Sequence, residues 1–379
     1  MKILFVCENY IPHYGGAEVV FKNLAERYVQ KGHQVTILTH QLKGTKKEEN
    51  LNGVKVIRVP SFHSRYLFTF LSIPKAIKLA KEHDIIQTTS FNGAPPAWIA
   101  GKLTKKPVVI TVHEVWVNKW KQVTDFSWLK CKIHELLEKA IYLLPYDRYI
   151  CVSNATKKDL LKINIKKENA ITTYNGLDYQ FWDEKNFKDE DVKKIKEELN
   201  LKNNFVYFSW GRPGTSKGFE YVIKAVPKIV EKLPRSVFLF MTSSNPTYQK
   251  KYDQLMDLVK KLELAGFKEN IKVIPSVPYE KLGNYIKAAN CVVIPSIAEG
   301  FGYTTVESIA IGKPVIVSDA GSLPEVVSGK HLVFENKNSA MLAEKVIEMA
   351  KGKFQETPLK KFEWEDSVNK YLNIYKELL

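Results

Sequence analysis

The chain is poor in cysteine, with four in 379 residues, at positions 7, 131, 151 and 291. They lack metal-ligand spacing and mostly sit in apolar, strand-like runs where a small buried thiol is the default, so neither a disulfide nor a zinc site is expected. Long apolar runs are missing too. Nothing approaches the roughly 20 apolar residues that a membrane span needs, and the N-terminus, Met1-Lys2-Ile3-Leu4-Phe5-Val6-Cys7, is apolar only until Glu8. That is too short for a secretory signal and suits a first buried strand, which implies a cytoplasmic protein. Acidic residues are in deficit, 41 against 57 Lys and Arg, for a formal charge of +16. Such an excess implies an acidic partner or surface. No paired Cys/His finger, RNP-like aromatic strand or basic region running into heptads accompanies it, so no nucleic-acid partner is expected. An anionic membrane surface or lipid phosphate fits better. No G-x-G-x-x-G ends the first strand, which argues against an NAD-binding oxidoreductase.

What is present is an alternation of strand-like and helix-like segments. The first half carries strand patterns at Lys2 to Cys7, Gln34 to Thr39, Val54 to Val59, Ile85 to Gln87, Val108 to Val112 and Tyr149 to Val152, with a helix from Ala17 to Lys31 stopped by Gly32. From Leu201 the pattern restarts, with strands at Phe205 to Ser209, Val237 to Met241, Ile271 to Ile274, Cys291 to Ile294, Pro314 to Val317 and His331 to Phe334. Such alternation predicts βαβ units and parallel sheets. The length predicts two domains, and the Lys/Glu-rich stretch Asp183 to Asn204 reads as a linker plus a surface helix. Trp364, Val368, Tyr371, Leu372 and Tyr375 recur at helical spacing near the C-terminus.

The chemistry concentrates in a few places. Glu299-Gly300-Phe301-Gly302-Tyr303-Thr304-Thr305-Val306-Glu307 follows the strand-like Cys291 to Ser296 and opens a helix over Thr304 to Ile311. A helix N-terminus after a parallel strand presents unpaired N–H groups and a partial positive charge, which suits a phosphate. Ionised carboxylates beside it accept strong hydrogen bonds from sugar hydroxyls. Arg212 and Lys217 lie in Gly211-Arg212-Pro213-Gly214-Thr215-Ser216-Lys217-Gly218, where their cationic heads can reach a diphosphate while Gly211 and Gly218 keep the backbone compact. Positioned cations stabilise charge growing on a departing diphosphate without a metal. His113, after Val109-Ile110-Thr111-Val112, belongs at the carboxyl edge of a sheet, where α/β folds place ligands.

Together with Gly15-Gly16-Ala17-Glu18, Thr111-Val112-His113-Glu114, Val152-Ser153-Asn154, Tyr174-Asn175-Gly176-Leu177-Asp178 and Ala310-x-Gly312-Lys313-Pro314-Val315-Ile316, these stations resemble the retaining glycosyltransferases of family 4, the glycogen-synthase-like branch of the GT-B fold. The resemblance spans nearly the whole chain. It implies an α/β fold of two Rossmann-like domains with parallel sheets facing across a central cleft. Residues 1–182 would bind the acceptor, joined by a returning helix over 363–379, and 183–362 would bind the donor. By the same resemblance Gly211, Arg212 and Lys217 hold the donor diphosphate, Glu299 the hexose hydroxyls and Glu307 the ribose. Gly300, Phe301, Gly302, Tyr303 and Thr304 then offer backbone N–H groups, and Gly16 lies against donor phosphate. Asn9, Gly15 and His113 face the acceptor, with His113 beside the transferred sugar. The implied catalytic set is His113, Arg212, Lys217 and Glu299. Two departures stand out: Glu114 where an aspartate is common, and Asp319-Ala320-Gly321 where relatives often have Gly-Gly.

The implied reaction moves a hexose from a UDP- or GDP-linked donor to a hydroxyl of a glycan or lipid-linked glycan, as in polysaccharide biosynthesis. It forms an α-linkage and needs neither a metal nor another cofactor. Glu299 is not favoured as a nucleophile, because front-face transfer is the usual view of the family. The alternatives are a non-catalytic, basic membrane- or polyanion-binding protein on the same fold, and an epimerase or phosphorylase of similar architecture. The aromatic-basic stretches Phe62 to Leu71 and Trp116 to Lys121, with Trp128 and Lys130, suit contact with the inner face of a cell membrane.

Overall fold

A computed structural model describes residues 1–13, 15–62 and 64–379. Tyr14, in the loop after the first strand, and His63, in the first aromatic-basic stretch, lie outside the described residues. The chain forms two compact units: Met1–Asn118 with Trp128–Gly176 and Phe362–Leu379, and Lys119–Ser127 with Leu177–Lys361.

The first unit holds strands β1 (Lys2–Val6), β2 (Gln34–His40), β3 (Glu48–Leu51), β4 (Val54–Val59), β5 (Ile85–Thr89), β6 (Val108–Val112), β7 (Arg148–Cys151) and β8 (Ala170–Thr172). They form one sheet in the order β3-β4-β2-β1-β5-β6-β7-β8. Neighbours run parallel except β3 against β4. Ile3, Leu4, Phe5 and Val6 are all buried, because helices cover both faces of such a sheet and the strand must be apolar throughout. β3 escapes the sequence pattern because Glu48-Glu49-Asn50-Leu51 is a polar edge strand with no buried residue.

The second unit holds β9 (Phe205–Trp210), β10 (Ser236–Met241), β11 (Ile271–Ile274), β12 (Cys291–Ile294), β13 (Val315–Ser318), β14 (Gly329–Phe334) and β15 (Gln355–Thr357). Their order is β11-β10-β9-β12-β13-β14-β15, with only the β14–β15 pair antiparallel. Val222, Val226 and Ile229 of the helix Phe219–Lys232 pack with Phe238, Phe240 and Ile316 in its core. The chain enters this unit at Leu177 rather than at 183, because Phe181 and Trp182 join an aromatic cluster with Phe187 and Tyr279. Phe181 stacks on Tyr279 at 5.2 Å, and Trp182 is buried. The helix Asp189–Glu198 is the expected surface helix.

The helix Trp364–Leu378 returns to the first unit, as the resemblance implies. Its Trp364 lies against Gly176, where a Cβ would come within 2.4 Å of the indole. Ser367 Oγ donates to the Tyr174 carbonyl at 2.6 Å, Tyr371 and Thr111 share a hydrogen bond, and the Tyr375 hydroxyl donates to Gln87 Oε1. Two buried tyrosine hydroxyls thus find polar partners inside the sheet, which fixes the helix in register as well as in place. No helix among the described residues is long and apolar enough to cross a membrane.

Candidate active site

In the second unit the strand order reverses at β9, which lies between β10 and β12. Ligands of open α/β sheets bind at the carboxyl ends of the strands at such a point. The loops after β9 and β12 meet there, with Ile297 N donating to the Ser216 carbonyl at 2.7 Å. Gly218 permits that approach: its φ is +65°, and a Cβ would stand 2.1 Å from the Pro295 carbonyl oxygen. Gly218→Ala is therefore expected to destabilise the fold by about 3 kcal/mol, from left-handed backbone strain plus overpacking. A denaturant midpoint equal to that of the wild type would contradict it.

On this junction Lys217 Nζ pairs with Glu299 Oε2 at 2.9 Å, and Ser296 Oγ donates to the same oxygen at 2.9 Å. The Glu299 backbone is held as firmly. Ser322 donates to its carbonyl through both N and Oγ, at 3.1 and 3.2 Å. Gly321, with φ +55°, lets the loop after β13 pass beneath, since a Cβ would come within 2.2 Å of that same carbonyl oxygen. The departing Asp319-Ala320-Gly321 sequence therefore keeps glycine at the one place where this contact demands it.

Gly302, at φ +91°, caps the helix Tyr303–Ala310. Phe301 is buried edge-on to Tyr303, so this turn offers backbone rather than its phenyl ring. Lys217, Pro295, Ser296 and Thr304 line one pocket with Trp210 and Phe219. One turn further along, Glu307 is buried and accepts from the Tyr279 hydroxyl at 3.0 Å. Burial pushes its carboxyl up to about 7; the Tyr279 hydrogen bond and the Lys217 charge oppose the rise, and the Glu299 charge adds to it. The Arg212 guanidinium lies 5.8 Å from the Tyr248 ring centre. Gly211 (φ +142°) accepts at its carbonyl from Thr242 Oγ1 at 2.9 Å.

In the first unit the reversal point is β1, between β2 and β5. Asn9 follows β1, and its neighbour Glu8 accepts from Asn92 Nδ2 at 2.6 Å and pairs with Arg65 at 3.4 Å. His113 follows β6 and meets the Phe21 ring at 5.9 Å. Burial lowers its pKa to about 4 against the pull of Glu18, so the imidazole is neutral at pH 7. Its Nε2 is buried with no hydrogen-bond partner among the described residues. Glu18, in the first turn of the helix Gly16–Gln30, pairs with His13 at 3.2 Å. Burial works against its charge, but the His13 hydrogen bond and the nearby histidines hold its carboxyl below the usual range. The Glu18 carboxylate fills the space a Gly15 Cβ would need, whereas nothing lies within 4 Å of one at Gly16. Glu114 accepts from Trp116 Nε1 at 2.6 Å.

The structure thus gathers Lys217, Glu299, Glu307 and the Gly302 turn in one unit, and Asn9, Gly15, Gly16 and His113 at the strand ends of the other. Sequence reasoning missed Ser296, Tyr279 and Glu8. Ser296 was visible within the strand-ending run, but its role needs the fold. Nothing in the sequence connects Tyr279 to Glu307, since their pairing depends on where the helix Tyr279–Ala288 starts.

Two Rossmann-like units with these strand orders place the protein in the GT-B class of α/β folds. Residues 14–181 match the family model Glycosyltransferase Family 4, and residues 191–361 match Glycosyl transferases group 1. The chain belongs to the group 1 glycosyltransferases of the family 4 type. It is 29% identical to an uncharacterized glycosyltransferase of Methanocaldococcus jannaschii, over 99% of this chain and 98% of that protein. It is 22% identical to the GPI3 subunit of phosphatidylinositol N-acetylglucosaminyltransferase of Saccharomyces cerevisiae, over 100% of this chain and 83% of the relative. Among solved structures it resembles Anabaena HepE in complex with UDP, with a TM-score of 0.76 at 18% identity over the whole of both chains.

Proposed function

We propose that this glycosyltransferase is a retaining hexosyltransferase that uses a UDP- or GDP-linked donor and a hydroxyl of a glycan or lipid-linked glycan. The observation that carries the reading is the Lys217–Glu299–Ser296 group beside the Gly302-capped helix: a cation paired with a carboxylate, next to a helix N-terminus whose Thr304 lines the same pocket as Lys217 and Ser296. In the proposed step the bond from the anomeric carbon to the diphosphate breaks and the acceptor oxygen bonds to that carbon on the same face. The acceptor proton passes to the departing phosphate oxygen, and the product is an α-glycoside. Lys217 and the helix N-terminus offset the charge that grows on the diphosphate, which is the part a metal would otherwise play. Arg212 reaches the diphosphate by turning from Tyr248. Glu299 accepts from hexose hydroxyls, Glu307 from the ribose, and neutral His113 hydrogen-bonds the sugar next to the acceptor. UDP in the HepE complex and the phosphatidylinositol of the yeast relative's name support a uridine donor and a lipid-linked acceptor.

The test is thermal unfolding of the full chain with UDP, GDP, ADP, dTDP and CMP and their sugar conjugates, in EDTA. A ligand at a hundred times its Kd stabilises the folded state by about 2.7 kcal/mol, so one diphosphate should raise Tm by several degrees. No shift with any of them overturns the donor site, and a shift that requires added divalent metal overturns its metal independence.

A further inference from the structure

The helix Trp128–Leu143 is turned inside out. Its acidic residues are withdrawn from solvent: Glu138 is 1% exposed and accepts from Trp116 N at 2.8 Å, and Glu135 is covered by the lysines of its own helix, Lys139 at 2.8 Å and Lys132 at 3.7 Å. Its leucines face outward, with Leu129, Leu136, Leu137 and Leu143 exposed alongside Trp128 and Ile133, Leu136 to 70%. An ordinary surface helix has the opposite polarity. The only charged side chains at its exposed positions are Lys130, Lys132 and Lys139. The face continues onto the helix Arg65–Leu71, where Tyr66, Leu67, Phe70 and Leu71 are exposed, and the Tyr66 hydroxyl sits 3.5 Å from His134 Nε2.

We infer that this face, formed by the outward sides of the helices Arg65–Leu71 and Trp128–Leu143, docks the protein on an anionic lipid bilayer. An exposed apolar surface whose solvent-exposed charges on the helix Trp128–Leu143 are all cations favours an apolar partner that carries anions. A second copy would bring another lysine-bearing face of the same sign against this one. An anionic bilayer accepts the leucines into its acyl boundary, holds Trp128 and Tyr66 at headgroup depth and meets the lysines with opposite charge. The formal charge of +16 favours the same partner. Of the second aromatic-basic stretch, Trp120 is buried against Phe126 and contributes nothing to this face.

The location adds meaning. Tyr142, on the inner side of the helix, donates to the Ser90 hydroxyl and the Glu114 carbonyl, and Arg65 pairs with Glu8. The docking face is therefore braced on the strand ends that carry Asn9 and His113, where a lipid-linked acceptor would be met. That last step rests on the proposed function; the docking itself does not.

The experiment is flotation of the full chain with phosphatidylglycerol–phosphatidylcholine vesicles and with phosphatidylcholine alone. Leu136→Asp/Leu137→Asp serves as the variant, with Tm, nucleotide-induced Tm shift and sedimentation velocity measured on both proteins. Wild type should float with the anionic vesicles and be released as salt rises. The variant should bind at least about tenfold more weakly, with unchanged Tm and nucleotide shift. Trp emission should move to the blue on anionic vesicles and the move should shrink in Trp128→Phe, a readout that stands even if the double variant folds poorly. Absent vesicle binding, equal binding by a folded double variant, or a wild-type dimer that the variant dissolves would each overturn the inference. If the nucleotide shift is intact in that case, the donor site stands and only the docking face falls.

Discussion

Lys217→Ala is expected to lower kcat about a thousandfold, a loss of about 4 kcal/mol of transition-state stabilisation. Lys217 is the cation held at the strand-order reversal, 2.9 Å from Glu299 and on the same pocket as Thr304. Its charge matters most when the diphosphate gathers charge on leaving, so turnover should fall far more than substrate affinity. Folding should suffer little. The ion pair is partly open to water, and its contribution is about 1 kcal/mol at most; Glu299 keeps the Ser296 hydroxyl after the change. Lys217→Arg should restore only part of the rate, because a planar fork cannot take the place of a compact ammonium in a pocket walled by Trp210 and Phe219. Steady-state kinetics with the donor found by thermal shift will decide, and an alanine variant retaining a tenth of wild-type kcat removes Lys217 from the reaction.

Glu307→Gln should separate binding from stability in opposite directions. A ribose hydroxyl bonded to a carboxylate gains more than one bonded to an amide, so nucleotide affinity should drop about ten- to a hundredfold. Stability should move the other way. Burial raises the folded-state carboxyl from 4.5 to about 7, so the folded protein favours the protonated form. That contribution is fully present below the unfolded pKa and is lost as pH rises through about 7. At pH 8 the buried carboxylate destabilises the ligand-free protein by up to about 3 kcal/mol. Glutamine stays neutral and can still accept from Tyr279. The variant should therefore be the more stable protein at pH 8, with the difference closing towards pH 5. The wild type should also bind a nucleotide sugar, whose diphosphate diester does not titrate in this range, more weakly as pH falls below 7, whereas the variant should lack that Glu307-dependent loss. Denaturant unfolding and nucleotide-sugar titration at pH 5 and pH 8 measure both effects; a glutamine variant less stable at pH 8 with unchanged affinity would sink the assignment.

Much of the architecture was legible before any coordinates. The strands Val108–Val112 and Cys291–Ile294 begin and end where their apolar runs do, because a strand covered on both faces must be apolar along its length. Gly32 closes the helix Gly16–Gln30 from a left-handed φ of +81° that its neighbours would resist. Short or polar edge strands were not legible. β3, β8 and β15 are held by neighbouring strands rather than by their own pattern, and β15 is exposed throughout.

The sequence by itself determined the βαβ grammar, the two halves, and the stations that place the chain in its family. It did so because periodicity, glycine placement and motif order are local or additive along the chain. Only the tertiary structure decided which groups act on one another. Tyr279 meets Glu307, Ser296 shares Glu299 with Lys217, and Glu18 shapes the surroundings of His113. The inverted polarity of the helix Trp128–Leu143 belongs here as well. Its sequence carries acidic and apolar residues alike, and nothing short of the packing against Trp116 and Ser90 tells which of them turn inward. Burial and long-range hydrogen bonds are properties of pairs far apart in the chain, and they exist only once the sheets have formed.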